Sequence, residues 1–299
     1  MATTATATTT TTSLSTSSPS HIPRGPTSAT ITFYGPPADN SAPFNYVETP
    51  PAGQPQRNYA EVEHEVSIND IRGSETSYNL DKDSFAALQH IPSAATYSTF
   101  DSDTSVREIY YPEVESLLKS HVPGAHKVVI FDHTIRRAKS GAPRQPVTRA
   151  HVDQTPRAAA DRVKLHITDE EEAAALLAGR YRIINVWRPL DEHDLPVQSA
   201  PLAFASAASV DGDDLVPIQH RYPNRTGETM GVKYNPAQNW LYWSGMTGGE
   251  RLLLKCSDSA GLKDPNIAQW VPHTAFWDPK TPEGARPRES IEVRALVFG

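Results

Sequence analysis

Beyond Gly179 the chain offers no further stretch that reads as a helix, and this limits its fold more than any other feature. Its apolar residues come instead in short β-prone blocks: Tyr181–Trp187 (YRIINVW), Trp240–Trp243 (WLYW), Arg251–Lys255 (RLLLK) and Ile291–Phe298 (IEVRALVF). Loops rich in Pro, Gly, Asn and Asp separate them. β-branched and aromatic side chains suit a pleated, half-buried surface, while proline and glycine interrupt it. The first half reads differently. Helices are expected near Lys82–His90 and Glu113–His121, closed by Pro92 and Pro123. Thr168-Asp169-Glu170-Glu171 offers a capping box for Ala173–Ala178, with Gly179 as the stop. Short strands are expected at Ala29–Tyr34 and Lys127–Phe131, and an extended surface arm over residues 36–57. The sum is an α+β chain with a double-stranded β-helix (jelly-roll) core and flanking helices.

With 299 residues there is enough chain for one large domain. Residues 2–18 hold only Ala, Thr, Ser and one Leu, so residues 1–28 are expected to form a disordered tail and residues 29–299 a single domain. That start has neither a charged segment nor an apolar one and does not read as a signal peptide. Lys and Arg number 28 against 35 Asp and Glu, a net charge of -7, which leaves no electrostatic footprint for nucleic acid or an anionic membrane. No run approaches the ~18 apolar residues of a membrane span. Cys256 is the single cysteine, which rules out an intrachain disulfide and a zinc-thiolate cluster and makes a reducing, cytoplasmic setting the simpler expectation.

Of eleven histidines, only His151 is followed two residues later by a carboxylate, as His151-Val152-Asp153. The preceding Pro146–Ala150 is β-prone, and residues two apart on a strand project to the same face. An imidazole and a carboxylate can therefore converge on one ion. Two His and one carboxylate on one face of an octahedron suit iron(II) and leave three positions open. Taken alone, the pair is more often a hydrogen-bonded strand pair than a metal site. His273 supplies the third candidate, in the β-prone run Trp270–Phe276. The Pro/Gly-rich loop Asp278–Pro287 and the run Arg288–Arg294 follow, so the strand of His273 is expected to pair with that of Arg288 as a hairpin.

On that last strand Ile291, Val293, Ala295 and Val297 share one face, and Arg288, Ser290, Glu292 and Arg294 the other. The polar face must be exposed to solvent or line a polar cavity. A guanidinium fork and a hydroxyl two residues apart can grip a carboxylate, as the far end of a dicarboxylic keto acid requires. Arg294 is the reserve candidate for that clamp. His-x-Asp, a distant His, then Arg-x-Ser is the ordering of 2-oxoglutarate oxygenases.

Four further segments carry a closer resemblance: Asn185–Leu190 (NVWRPL), Tyr234–Trp240 (YNPAQNW), Leu254–Ser259 (LKCSDS) and Pro272–Phe276 (PHTAF). Over residues 30–299 the chain resembles the fungal AsaB-like hydroxylase/desaturase family. The resemblance implies an oxidation in natural-product biosynthesis that uses iron(II), 2-oxoglutarate and O2 on a small-molecule substrate. It implies hydroxylation, desaturation or ring closure at an unactivated C–H bond, with His151, Asp153 and His273 as the metal triad and Arg288 with Ser290 as the co-substrate clamp. Asn185, Trp187 and Arg188 are candidate substrate contacts, against the plainer reading of a packed Trp and a surface Arg. Tyr234, Trp240, Tyr242 and Trp243 line a pocket or, more often for strand aromatics, a core. Gly245, Gly248 and Gly249 lack dinucleotide-loop spacing and read as a hairpin turn. His64-Glu65 lacks the second histidine of a zincin helix, and His166, His193 and His220 are alternative third ligands with no Arg-x-Ser close behind. Two rival readings are a jelly-roll metal-dependent hydrolase and a non-catalytic binding protein. Neither needs a clamp for a distal carboxylate.

Overall fold

The computed structural model describes residues 21–137 and 146–299. Its first strands are β1 (Thr27–Gly35), β2 (Phe44–Tyr46), β3 (Ala60–Asp70), β4 (Phe85–Leu88), β5 (Lys127–Arg137) and β6 (His151–Val152). Next come β7 (Tyr181–Leu190), β8 (Leu202–Ala205), β9 (Leu215–Arg221), β10 (Thr226–Val232) and β11 (Trp240–Tyr242). The last are β12 (Arg251–Asp258), β13 (His273–Ala275) and β14 (Glu289–Phe298). Helices α1 (Leu80–Asp83) and α2 (Asp103–Ser105) are single turns, while α3 (Tyr111–His121), α4 (Pro156–His166) and α5 (Glu170–Ala178) are longer. None of the described helices is long and apolar enough to cross a membrane.

Nine strands form one sheet in the order β1-β3-β11-β8-β13-β6-β10-β9-β2, and five form the other, β4-β12-β7-β14-β5. The alternation of β7 and β14 explains how the second sheet is buried on both faces. Ile183, Trp187 and Leu296 join Phe204 and Leu241 of the larger sheet in the interior. Ile184, Val186, Ile291 and Val293 point outward and are covered by Val114, Leu117 and Leu118 of α3. Burying each such aliphatic side chain contributes about 1.5–3 kcal/mol, enough to dock a short helix that would not persist alone. The result is the jelly-roll core with flanking helices that the alternating blocks predict.

Several local expectations change. Lys82–His90 is not a helix: α1 ends at Ser84, whose φ is +61°, and Phe85–Leu88 continues as β4 against β12. Its helix-forming residues were overruled by a strand partner far away in sequence. The helix α4 was not anticipated, although Thr155 caps it by accepting from the Ala158 N–H at 3.0 Å and Pro156 occupies its first turn. Asp169, not Thr168, caps α5, accepting from the Glu172 N–H. The arm over residues 36–57 contributes β2, parallel to β9. Of the proposed tail, residues 1–20 lie outside the described residues. Residues 21–28 are docked: Gly25 N–H donates to Asp70 Oδ2 at 2.8 Å, the Tyr242 hydroxyl donates to the Gly25 carbonyl, and β1 begins at Thr27.

The largest correction concerns the C-terminus. The strands β13 and β14 do not form a hairpin; β13 lies in the nine-stranded sheet between β8 and β6, and β14 in the five-stranded sheet between β7 and β5. The loop between them crosses from one sheet to the other. The glycine segment 245–249 likewise joins strands of different sheets, β11 and β12, and is not a hairpin turn. His273 and Arg288 therefore reach the interior from different sheets.

Candidate metal centre

Strand pairing alone brings the two histidines together. His273 of β13 is the direct antiparallel partner of His151 of β6, and their ring centroids are 4.5 Å apart. Asp153 follows β6 by one residue, and its Oδ1 lies 3.3 Å from His151 Nε2. One donor atom from each of His151, Asp153 and His273 falls within 4.8 Å of the others. On the far side of β6, Gly231 of β10 pairs with His151. A Cβ at Gly231 would come within 2.7 Å of Ile218 Cδ1 and 3.0 Å of Tyr34 Cβ, so a side chain there would displace the packing behind the histidine strand.

Each donor is aimed by a second contact. His151 Nδ1 bonds the Arg149 carbonyl at 2.8 Å, and His273 Nδ1 the Val271 carbonyl at 3.1 Å. A carbonyl only accepts, so both Nδ1 atoms carry the proton and both Nε2 atoms present a lone pair. Asp153 Oδ2 accepts from Asn185 Nδ2 at 2.8 Å and from Arg294 Nε at 3.2 Å, which leaves Oδ1 for an ion. Burial would raise the Asp153 carboxyl, but Arg294 and then the two imidazoles outweigh it and hold it well below the usual carboxylate range. Burial and the neighbouring His151 push the His273 imidazole down, toward the neutral form that a metal ligand has. Two neutral imidazole nitrogens and one carboxylate oxygen on one side of a point form a donor set that fits a divalent iron ion.

The polar face of β14 lines a narrow slot beside these donors, and Arg288, Ser290, Glu292 and Arg294 all border it with Trp187 and Arg136. The two arginines differ. Arg294 is spent on the protein itself, donating to Asp153, Asp132, Thr134 and Glu292. Arg288 is buried, and Nη1 donates to the Ala200 carbonyl at 2.6 Å. Its Nε has no partner, and no carboxylate lies within ion-pair distance among the described residues. Burial, followed by repulsion from Arg136, lowers its guanidinium to about 10. A buried cation without an ion pair among the described residues, in the slot that the three clustered donors also border, fits an anionic ligand supplied from outside, with Glu292 the charge of opposite sign that acts on it. This separates the primary clamp candidate Arg288 from the reserve, Arg294.

Of the substrate candidates, Asn185 instead holds Asp153, and Trp187 lies beneath Arg288, its ring centroid 5.5 Å from the guanidinium carbon. Arg188 faces the opposite side of β7, donating to Ser93 and packing between Phe100 and Tyr110. A substrate contact at this centre is therefore not available to Arg188. Trp240, Tyr242 and Trp243 are core, while Tyr234 is more exposed and stacks on His64. The alternative ligands His166 and His193 are not among the clustered donors.

His220 does lie nearby. It bonds Thr229 Oγ1 at 3.1 Å, and burial, Arg149 and His151 lower its imidazole to about 4. Together with Gln154 it borders an open cleft of about 490 Å3 between α4 and the β9–β10 hairpin, whose inner end is Asp153. Gln154 carried one readable signal, its place next to Asp153. His220 carried none, because only the β9–β10 pairing brings it close.

The profile of a family described as "Oxidoreductase/YMDC permease-like domain" matches residues 31–298. A hydroxylase/desaturase of Penicillium oxalicum, poxK, is 36% identical over 303 residues, covering 92% of each chain. The Fe(II)/2-oxoglutarate-dependent dioxygenase nvfI of Aspergillus novofumigatus is 34% identical, over 90% of this chain and 95% of its own. The solved structure of the iron and alpha-ketoglutarate-dependent endoperoxidase NvfI superimposes with a TM-score of 0.82 at 30% identity, covering 93% of this chain and 99% of that one.

Proposed function

Because this chain belongs to the AsaB-like fungal hydroxylase/desaturase family, we propose that His151, Asp153 and His273 bind its iron(II) and that Arg288 with Ser290 holds its 2-oxoglutarate. The protein is an Fe(II)/2-oxoglutarate-dependent dioxygenase that oxidises a small natural-product intermediate. Residues 21–137 and 146–299 act as one oxygenase domain. The observation that carries the site assignment is the buried Arg288 guanidinium, unpaired in the same slot as the three converging donors.

When bound, iron(II) with 2-oxoglutarate and O2 supplies the oxidising power; the protein supplies position and a dry surrounding. Asn185 and Arg294 fix Asp153 so that one oxygen ligates and the other stays engaged. The Arg149 and Val271 carbonyls fix both imidazoles in the tautomer that presents Nε2. Arg288 neutralises the distal carboxylate with its planar fork, and Ser290 adds a third donor. Trp187 and Leu202 border the slot and limit its hydration. A hydrolase or a simple binding protein with the same triad would have no use for the unpaired guanidinium.

The test is an anaerobic titration of the protein with iron(II) and then 2-oxoglutarate. A visible charge-transfer band that needs both additions is expected, and that disappears in His273→Ala. A band of undiminished strength in that variant would refute the ligand assignment.

A further inference from the structure

Two cavities meet at Asp153, and they differ in kind. The slot on the β14 side is narrow and strongly charged. The cleft on the other side, between α4 and the β9–β10 hairpin, has a volume of about 490 Å3, within the range of small-molecule sites. Of the residues assigned to iron(II) or 2-oxoglutarate, Asp153 alone borders it.

Of its cations, Arg157 is ion-paired, reaching Glu228 at 3.5 Å and Asp161 at 4.0 Å, whereas Arg162 and Arg225 stack on the Phe131 and Tyr222 rings without an ion pair among the described residues, Arg225 near the hairpin turn. The inner end holds two polar groups with spare capacity. Gln154 is 7% exposed, borders the cleft directly after Asp153, and its amide makes no hydrogen bond among the described residues. His220 engages Thr229 through Nε2, and its Nδ1 has no partner among the described residues. Neither group is among the fully buried atoms without a partner, so both open onto the cleft, where a ligand can take up their free hydrogen-bonding capacity.

We propose that this cleft binds the organic substrate, and that the substrate is an uncharged small molecule whose hydroxyl or carbonyl oxygen is held between Gln154 and His220. The assignment rests on the metal centre proposed above, because Asp153 is what makes the inner end of the cleft the reacting end. An amide and an imidazole each offer both a donor and an acceptor, so together they hold either kind of oxygen. They offer no full charge to a carboxylate or a phosphate. The Leu165 side chain on α4 covers the apolar part of such a molecule. Gln154 and His220 are thus positioning residues that select which carbon lies nearest the metal.

The test uses the full chain loaded with Mn(II) and 2-oxoglutarate, with cyclohexanone and cyclohexanol as uncharged probes and cyclohexanecarboxylate as the anionic one. The readout is the paramagnetic relaxation of probe protons per bound Mn(II), with metal uptake measured in the same samples from the free-ion EPR signal. The uncharged probes are expected to relax strongly. The double variant Gln154→Leu, His220→Leu should weaken that relaxation about fivefold or more, the scale of one lost hydrogen bond. Leu165→Trp, which fills the cleft from the helix side, should weaken it independently. Unchanged relaxation per bound Mn(II) in both variants, or stronger relaxation of the carboxylate, would overturn the cleft assignment alone. Failure of the unaltered chain to take up Mn(II) would instead overturn the metal centre, and the cleft's role with it.

Discussion

The five-stranded sheet carries two buried ionic clusters, and they are built to opposite ends. At one end of β12, Lys255 is fully buried and reaches Asp258 at 2.7 Å, while Arg180 reaches Asp258 at 2.6 Å and Asp81 at 2.5 Å. Two cations face two carboxylates and the cluster is closed. On the inner face of β14, Arg294 is closed in the same way, but Arg288 six residues earlier has no carboxylate and three donors converge beside it. Burying a charge is costly in both places. In the first the fold offsets the cost itself; in the second, on the proposed assignment, iron(II) and 2-oxoglutarate would complete the balance. The difference teaches that a buried cation marks a candidate site when ligand-type donors converge beside it; Arg182 and Arg251 are also buried without an ion pair among the described residues, and backbone oxygens accept their hydrogen bonds.

That contrast breaks if the second cluster proves to be structural. The largest effect is expected from His273→Ala, which should abolish turnover and most iron binding while the melting temperature stays near that of the unaltered chain. Metal content and calorimetry on the same sample check it, and a variant with full iron content would defeat the reading. In the closed cluster the expectation is reversed. Asp258→Asn strands Lys255 without its counter-charge and should cost about 3–5 kcal/mol of stability, measured by denaturant unfolding. Arg288→Ala should lose about 2–5 kcal/mol of 2-oxoglutarate binding, roughly 30- to several-thousand-fold, with iron affinity nearly intact. Arg288→Lys should recover part of it, because an ammonium cannot form the fork. Arg294→Ala is the sharpening control: it releases Asp153 and should disturb iron before co-substrate.

Asn185→Ala is a smaller perturbation of the same carboxylate and should weaken iron roughly 10- to 100-fold, as loss of an outer contact to a metal ligand does. Competition against a metal indicator measures it. The smallest effect expected is on pH dependence. Burial would raise the Asp258 carboxyl, but the Arg180 hydrogen bond and Lys255 outweigh it and lower it. A carboxyl whose folded value is depressed contributes stability above the unfolded value near ~3.9, and that contribution is lost as pH falls through the folded value. Acid unfolding below about pH 4 should therefore be shallower in Asp258→Asn than in the unaltered chain. Equal slopes would show that the cluster does not titrate with folding.

Much of the centre could be read from spacing. The two-residue spacing of His151 and Asp153 marked the pair, although Asp153 sits in a bend just past the two-residue β6 and not on the strand itself, and the alternation along β14 separated Arg288, Ser290, Glu292 and Arg294 from Ile291, Val293, Ala295 and Val297. The same period put Asn185 and Trp187 on one side of β7 and Arg188 on the other. Short-range order of this kind lies in the chain itself, because side-chain direction follows from backbone geometry residue by residue. Which strand lies beside which does not. The pairing of His273 with His151 spans 122 positions, and the apparent hairpin to Arg288 is a crossing between sheets. Phe85–Leu88 became a strand because β12 was there to receive it. The sequence therefore determined which side chains could act together within each strand. Only the packing of two curved sheets decided which strands face each other, because that choice depends on the burial of the whole core and no local pattern encodes it.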